Sequence, residues 1–286
     1  MTVRRPFEEV EASRPDFDSD AKITWTKVPQ PDFKVGGGLN SLPYSRDFAP
    51  ENAKWIAIDP EQHDKPSMYK LMISGITPRP IAFMSTISAG GVCNLAPMSY
   101  FNMVSHNPPT IMVSVMASAT NPDGLKDTSK NIKDTKEFCC SIISETFMEA
   151  ASFTSIDTPP GIEEWALAGL TKRKSNTVKP PHVAESAFSM ECGLEHWYDL
   201  KNDEGKITGH VILGRIKRFQ AKDFLFDPLE PMKVLPEKLR AVSRLGGVTF
   251  GRTLAAAEAP RPFWDQVKDT KDVKNAIVKG APSVES

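Results

Sequence analysis

The chain has 286 residues, 40% of them apolar and 25% charged, with 35 basic against 36 acidic side chains and a net charge of −1. Those proportions support a packed core in one large domain or two small ones. The near-neutral balance lacks the basic footprint that grips nucleic-acid phosphates, and no apolar run approaches the roughly 20 residues of a membrane-spanning helix, so neither nucleic acid nor a membrane is an expected partner.

Residues 1–60 read as an extended N-terminal arm. They are rich in Pro, Asp, Gly and Ser, carry single spaced aromatics (Phe7, Phe17, Trp25, Phe33, Tyr44, Phe48) and hold no sustained helical or strand period. The opening residues turn acidic at once and contain no apolar stretch of the kind a secretory signal needs. Gly36-Gly37-Gly38 follows no strand and opens no helix, which makes it a turn and not a phosphate cradle. The four cysteines (Cys93, Cys139, Cys140, Cys192) have no C-x-x-C spacing and there is no N-x-Ser/Thr sequon. A reducing compartment, the cytoplasm, is the expected location.

Regular patterning starts near residue 66. Met68–Ile73 suits a short helix closed by Gly75. Ile81–Ser88 suits a strand ended by Gly90-Gly91, and Cys93–Val104 a second strand region in which Pro97 signals a bulge or an edge. Thr110–Ser118 is apolar on both faces, as in a barrel wall. Asp127 or Thr128 can cap a helix running to about Phe138, followed by a buried strand at Cys139–Ile143 whose two cysteines point to opposite faces. Short helices are expected at 146–155 and 161–169. Long strands at 187–200 and 207–221 flank the turn signal Asn202-Asp203-Glu204-Gly205 and place His196 and His210 on facing arms. Residues 256–286 form a Lys-rich C-terminal tail. Strands come in runs with helices between them, which favours an antiparallel barrel over a doubly wound sheet.

No nucleotide-binding P-loop, metalloprotease helix or nucleophile elbow is present, and the five histidines show no metal spacing, so no metal is expected. The densest mixture of polar and small residues lies at 77–131. Hydroxyls on a strand, small residues beside Asn94, and Lys126 next to a helix start suit a phosphorylated planar ligand. The same residues also suit plain barrel filling with a solvated lysine.

Pro78-Arg79-Pro80-Ile81-Ala82-Phe83-Met84-Ser85-Thr86 resembles the opening strand of the flavin reductase-like family, which has the FMN-binding split-barrel fold. The resemblance continues through Asn94–Phe101, Pro108-Pro109, Lys126-Asp127-Thr128 with Asn131, Glu163–Thr171, Val183–Ser186, Glu191-Cys192, Gly209-His210-Val211 and Arg244-Leu245-Gly246-Gly247, in order, over about residues 66–250. It implies a mainly β fold with helical decorations: a six-stranded antiparallel split barrel at 61–255 that forms a homodimer and binds FMN non-covalently near the subunit interface. By resemblance Ser85, Thr86 and Ser88 match positions at the flavin phosphate or ribityl chain. Asn94, Leu95, Ala96, Pro97 and Ser99 match the segment whose backbone lines the isoalloxazine. Lys126, Asp127, Thr128 and Asn131 match a second phosphate- or ribityl-side cluster, Arg79 and Arg244 are phosphate or structural partners, and His106 faces the substrate side. The implied activity is NAD(P)H-dependent electron transfer through the flavin to a small acceptor or a partner oxygenase, with no protein general acid or base required. Two alternatives share the fold: an FMN-dependent oxygenase or reductase acting directly on a small metabolite, and a non-enzymatic flavin- or haem-binding protein.

Overall fold

The computed structural model describes residues 6–50, 52, 54–159 and 161–281. It divides into two compact units: the described residues of Met1–Ala57 with Leu254–Ser286, and Ile58–Thr253. The first unit opens with helix α1 (Phe7–Ala12) and strand β1 (Thr24–Thr26).

The second unit holds the sheet. Helix α2 (Lys65–Gly75) is started by Asp64, whose side chain accepts from the Ser67 backbone N–H at 2.8 Å, with Pro66 in its first turn. Strands β2 (Ala82–Ile87), β3 (Cys93–Met98), β4 (Phe101–His106) and β5 (Pro109–Met116) follow, then helix α3 (Asp127–Thr135) and strand β6 (Glu137–Ile142). Next come α4 (Met148–Phe153), α5 (Glu164–Ala168) and the two-residue strands β7 (Lys172–Arg173) and β8 (His182–Val183). The long hairpin of β9 (Phe188–Lys201) and β10 (Ile207–Ala221) leads to α6 (Pro236–Leu239), β11 (Val242–Arg244) and β12 (Phe250–Arg252). The first unit then resumes with β13 (Ala255–Ala257), α7 (Trp264–Val267) and α8 (Lys271–Lys279). β1 and β13 pair in parallel, Thr24 with Ala255 through Thr26 with Ala257. The arm thus contains a helix and a strand that its local pattern does not show, because the strand's partner lies at the other end of the chain.

The main sheet has the order β3-β2-β6-β9-β10-β5-β4, with every neighbouring pair antiparallel. It therefore has seven strands where the sequence led to six. The region 93–104, read as one strand, is two: Ser99 and Tyr100 break it, and the halves lie at opposite edges of the sheet. A flat seven-stranded sheet would hold its edges about 29 Å apart, but the three Cα steps from Met98 to Phe101 reach only about 11 Å. The sheet must curl to bring its edges toward each other, and the Ser114 N–H donates to the Tyr100 carbonyl at 2.8 Å, which carries the β4–β5 ladder one step into the link. The result is an antiparallel split barrel.

β2 shows why the barrel needs apolar residues on both faces. Ala82 and Met84 point inward with Ile111, Val113, Ile132, Phe138, Cys140, Cys192 and Ile212. Ile81 and Phe83 point outward with Leu95, Phe147, Ala151, Trp165 and Val242. Full burial of each such side chain contributes about 1.5–3 kcal/mol. Cys139 and Cys140 split between the faces as expected: Cys140 joins the interior cluster, while the Cys139 thiol meets the Ser175 hydroxyl at 3.2 Å. All four cysteines are free and buried. α3 ends at Thr135, because Lys136 takes a left-handed conformation (φ +62°), and Phe138 belongs to β6 and not to the helix. Among the described residues no helix is long and apolar enough to cross a membrane.

The edge strand β3 is protected by acids. In an antiparallel strand alternate N–H groups face the same side, and on β3 these belong to Cys93, Leu95 and position 97. The Cys93 N–H donates to Glu163 Oε1 at 2.8 Å and the Leu95 N–H to Glu164 Oε2 at 3.0 Å. Pro97 has no N–H to satisfy, which is the edge role its presence signalled.

Gly214 on β10 lies under the Phe138 ring. A Cβ added there would come within 2.3 Å of the ring. Gly214→Ala is expected to lower stability by about 1–3 kcal/mol through overpacking. Urea denaturation of the variant checks this, and an unchanged midpoint would show that the ring has room to move.

Candidate functional site

A cavity of about 230 Å³ lies at the seam of the barrel. Pro97, Met98, Ser99 and Tyr100 form the wall where β3 hands over to β4. Ser114, Val115 and Met116 of β5 form a second wall, and Ile73, Arg79 and Ile81 contribute from the entry to β2. Tyr69 on α2 and Arg244, Gly247 and Phe250 from the β11–β12 hairpin complete the outer side, and Lys126 adds a cation. Among the described residues no carboxylate and no histidine lines the cavity. Its surface is therefore apolar and aromatic with three cationic groups, which suits a flat ring carrying an anion.

The three cations are not equivalent. Arg79 is buried and committed to the backbone: Nη1 donates to the Ile73 and Ile76 carbonyls, both at 2.6 Å, and Nη2 to the Leu245 carbonyl at 3.0 Å. It ties the end of α2 to the β11–β12 hairpin, so its role is structural. Lys126 is exposed at the N-cap position of α3, where no side chain caps the helix. The helix N-terminus adds its own attraction for an anion. Arg244 lies with its guanidinium carbon 4.5 Å from the centre of the Phe250 ring. Burial pulls its pKa below the ordinary value, Tyr69 opposes that shift and Arg79 adds to it, yet an arginine stays cationic. Burial also raises the Tyr100 phenol, with Tyr69 adding to the effect.

Of the residues singled out in the sequence, Arg79, Pro97, Ser99, Lys126 and Arg244 meet at the cavity. Thr86, Asn94, Thr128 and Asn131 meet somewhere else, inside the structure. Thr86 and Asn94 are cross-strand partners on β2 and β3. Asn131 Nδ2 donates to Thr86 Oγ1 at 3.0 Å, and Asn94 Nδ2 to Thr128 Oγ1 at 3.0 Å. These bonds lock α3 onto the β2–β3 hairpin and so fix where Lys126 sits. Ala96 is half-buried opposite Met84. Ser85 and Leu95 face the other way, toward the cluster under α4 and α5, and Ser88 organises the β2–β3 turn by accepting from the Val92 N–H at 3.0 Å. Asp127 is raised above its ordinary pKa by burial, then by Glu164, Asp157 and Asp123, so it belongs with acids and not with the cavity. His106 is exposed at the end of β4, away from the cavity lining.

The two histidines of the hairpin do not meet. His210 pairs across the strands with Asp199, and His196 with Leu213. His210 is 2% exposed, its Nδ1 is 2.8 Å from Asp199 Oδ1, and Asp199 also accepts from Trp197 Nε1 at 2.6 Å.

Sequence reading missed Tyr69, Tyr100, Ser155, Gly247 and Phe250 at the cavity. The available signal was position: Tyr100 directly follows the Asn94–Ser99 segment, and Phe250 lies shortly after Arg244-Leu245-Gly246-Gly247.

A flavin fits these residues on the observations at hand. The cavity offers a flat apolar wall beside backbone with small residues, and a lysine stands at an uncapped helix start. Ser129 Oγ, in the first turn of that helix, is buried with no hydrogen-bond partner.

The fold is an antiparallel split barrel whose seam carries a cavity with aromatic and cationic residues in its lining. Comparison with known proteins makes this specific. The flavin reductase like domain matches residues 74–228. An uncharacterized protein of Aquifex aeolicus is 39% identical over 190 residues, covering 65% of this chain and 90% of its own. The crystal structure of nitrilotriacetate monooxygenase component B from Bacillus cereus is 34% identical with a TM-score of 0.67, covering 73% of this chain and 100% of its own. That of the 2-nitrobenzoate 2-nitroreductase of Pseudomonas fluorescens is 25% identical with a TM-score of 0.60, covering 72% and 96%. The chain belongs to the flavin reductase-like family.

Removing one member of the buried polar lattice should leave its partner unsatisfied. Asn131→Ala is expected to cost about 1–3 kcal/mol, and adding Thr86→Val should cost less than the sum of the single changes. A double-mutant cycle in urea measures the coupling, and strict additivity would show that the bond does not hold α3.

Proposed function

We propose that the chain is a flavin-dependent oxidoreductase that binds FMN in the seam cavity and draws electrons from NADH or NADPH. The observation that carries this reading is the cavity itself: an aromatic and apolar slot with Lys126 at a helix start and no acid in its lining. The similarity to a monooxygenase component B and to a nitroreductase supports it. Bound flavin supplies two-electron redox chemistry. Lys126 holds the phosphate, with the α3 N-terminus beside it. The Pro97–Ser99 backbone lines one edge of the ring, and Met98, Val115 and Ile81 exclude water from its surroundings. The buried lattice of Thr86, Asn94, Thr128 and Asn131 fixes the distance between the phosphate end and the ring end. No cavity residue is a carboxylate or an imidazole, in keeping with a site where the protein orients and does not shuttle protons. Haem binding has no axial imidazole available from this lining. Four free, buried cysteines suit a reducing cytoplasm.

The purified protein is expected to show flavin bands near ~370 and ~450 nm that bleach anaerobically on addition of NADH or NADPH. A colourless protein that takes up no added FMN would overturn the proposal. Lys126→Met should weaken FMN binding about tenfold to a hundredfold, the weight of a charge-assisted hydrogen bond, and an unchanged affinity would move the phosphate elsewhere.

The chain is also proposed to form a homodimer, with the β4 edge in the interface. Met103 and Val104 on that strand are 68% and 52% exposed, an apolar edge of the kind that invites a partner. Light scattering should report twice the 31.6 kDa chain mass, and Met103→Lys should shift the mass toward the monomer. A monomeric full-length chain would refute this assignment.

A further inference from the structure

We propose that Arg244, backed by Phe250 and flanked by Tyr69 and Tyr100, is a carboxylate subsite that selects a small, flat aromatic acid as the second ligand of the cavity. The inference rests on flavin occupying the same cavity, and it follows from counting the cations there. Arg79 already donates to three backbone carbonyls. Lys126, at the start of α3, serves the cofactor phosphate. Arg244 remains: among the described residues no acid ties its guanidinium by a hydrogen bond or ion pair, and its side chain lies against the Phe250 ring.

The backbone holds Arg244 firmly. Its N–H donates to the Arg79 carbonyl at 2.8 Å, and it accepts from the Arg79 N–H at 3.0 Å. A guanidinium lying against an aromatic ring keeps its edge donors free, and their fork matches the two oxygens of a carboxylate. Tyr69, Tyr100, Phe250 and Ile73 supply apolar and aromatic surface around it, which suits a flat ring attached to that carboxylate. Tyr69 and Ile73 come from α2, and Arg244, Gly247 and Phe250 from the β11–β12 hairpin and its turn.

The test uses the full chain loaded with FMN, with benzoate and its neutral isostere benzamide as probes. Benzoate is expected to perturb the bound-flavin spectrum and to bind at least about tenfold more tightly than benzamide. Arg244→Met should remove that preference, and Arg244→Lys should restore part of it, since lysine keeps the charge and loses the fork. Equal binding of benzoate and benzamide overturns the subsite, as does an Arg244→Met protein that retains the preference. A loss of FMN affinity in Arg244→Met would overturn it differently, by assigning the residue to the cofactor. Calorimetry on the unloaded chain separates this proposal from the flavin reading: benzoate binding that depends on Arg244 in a protein unable to bind FMN would sink the cofactor and leave the subsite standing.

Discussion

The two-residue link between β3 and β4 governs this structure. Ser99 and Tyr100 join strands that occupy opposite edges of a seven-stranded sheet. Every other feature of the second unit answers to that tether. The sheet must curl, so its inner face becomes a core and the central strand β2 needs apolar residues on both faces. The seam where the edges approach cannot be completed by a regular ladder, because Pro97 lacks a donor and the link itself leaves the strand path. A slot remains there, lined by backbone and by whatever the neighbouring segments contribute. The cavity is thus a product of the curl of the sheet and not an addition to it.

Closure leaves β3 with an exposed row of donors, and the protein deals with that row using side chains far along the chain. Glu163 and Glu164 take the Cys93 and Leu95 N–H groups, and Lys172 pairs with Glu163. Glu163 stays below its ordinary pKa: burial opposes ionisation, but the Lys172 and Cys93 contacts outweigh it. The same segment buries Trp165 against the outer face of β2 and β3. One short helix therefore seals an edge and fills a core. Acids thus satisfy one end of the β3 edge, while the described lining of the cavity at its other end contains none.

Much of this was legible in the sequence. The two-faced apolar pattern of Thr110–Ser118, the hairpin around Asn202–Gly205 and the opposed faces of Cys139 and Cys140 follow from side-chain alternation, which is local. The seam was not legible as a break, because Pro97 signalled only a bulge or an edge within Cys93–Val104 and long-range pairing alone reveals that its halves serve different edges. The candidate site divided along the same line. Thr86, Asn94, Thr128 and Asn131 were matched by resemblance to positions along the flavin, and they do cluster. Each pair, however, already shares one hydrogen bond, Asn131 with Thr86 and Asn94 with Thr128. A sequence shows which groups can donate and accept; it does not show whether their partners are already present.

Arg79 and Arg244 carry that distinction furthest. Both are arginines paired by the same backbone bridge, and both line the cavity. Arg79 is consumed by carbonyls from the end of α2 and from Leu245, so it works as a brace: it sets the position of the helix that carries Tyr69 and of the hairpin that carries Arg244 and Phe250. Arg244 lies on Phe250 and holds no acid. The buried arginine thus fixes the geometry of the half-exposed one, and removing its charge would loosen α2 and the hairpin together. Two residues of one type, separated only by what already occupies their donors, divide the work of the wall into support and recognition.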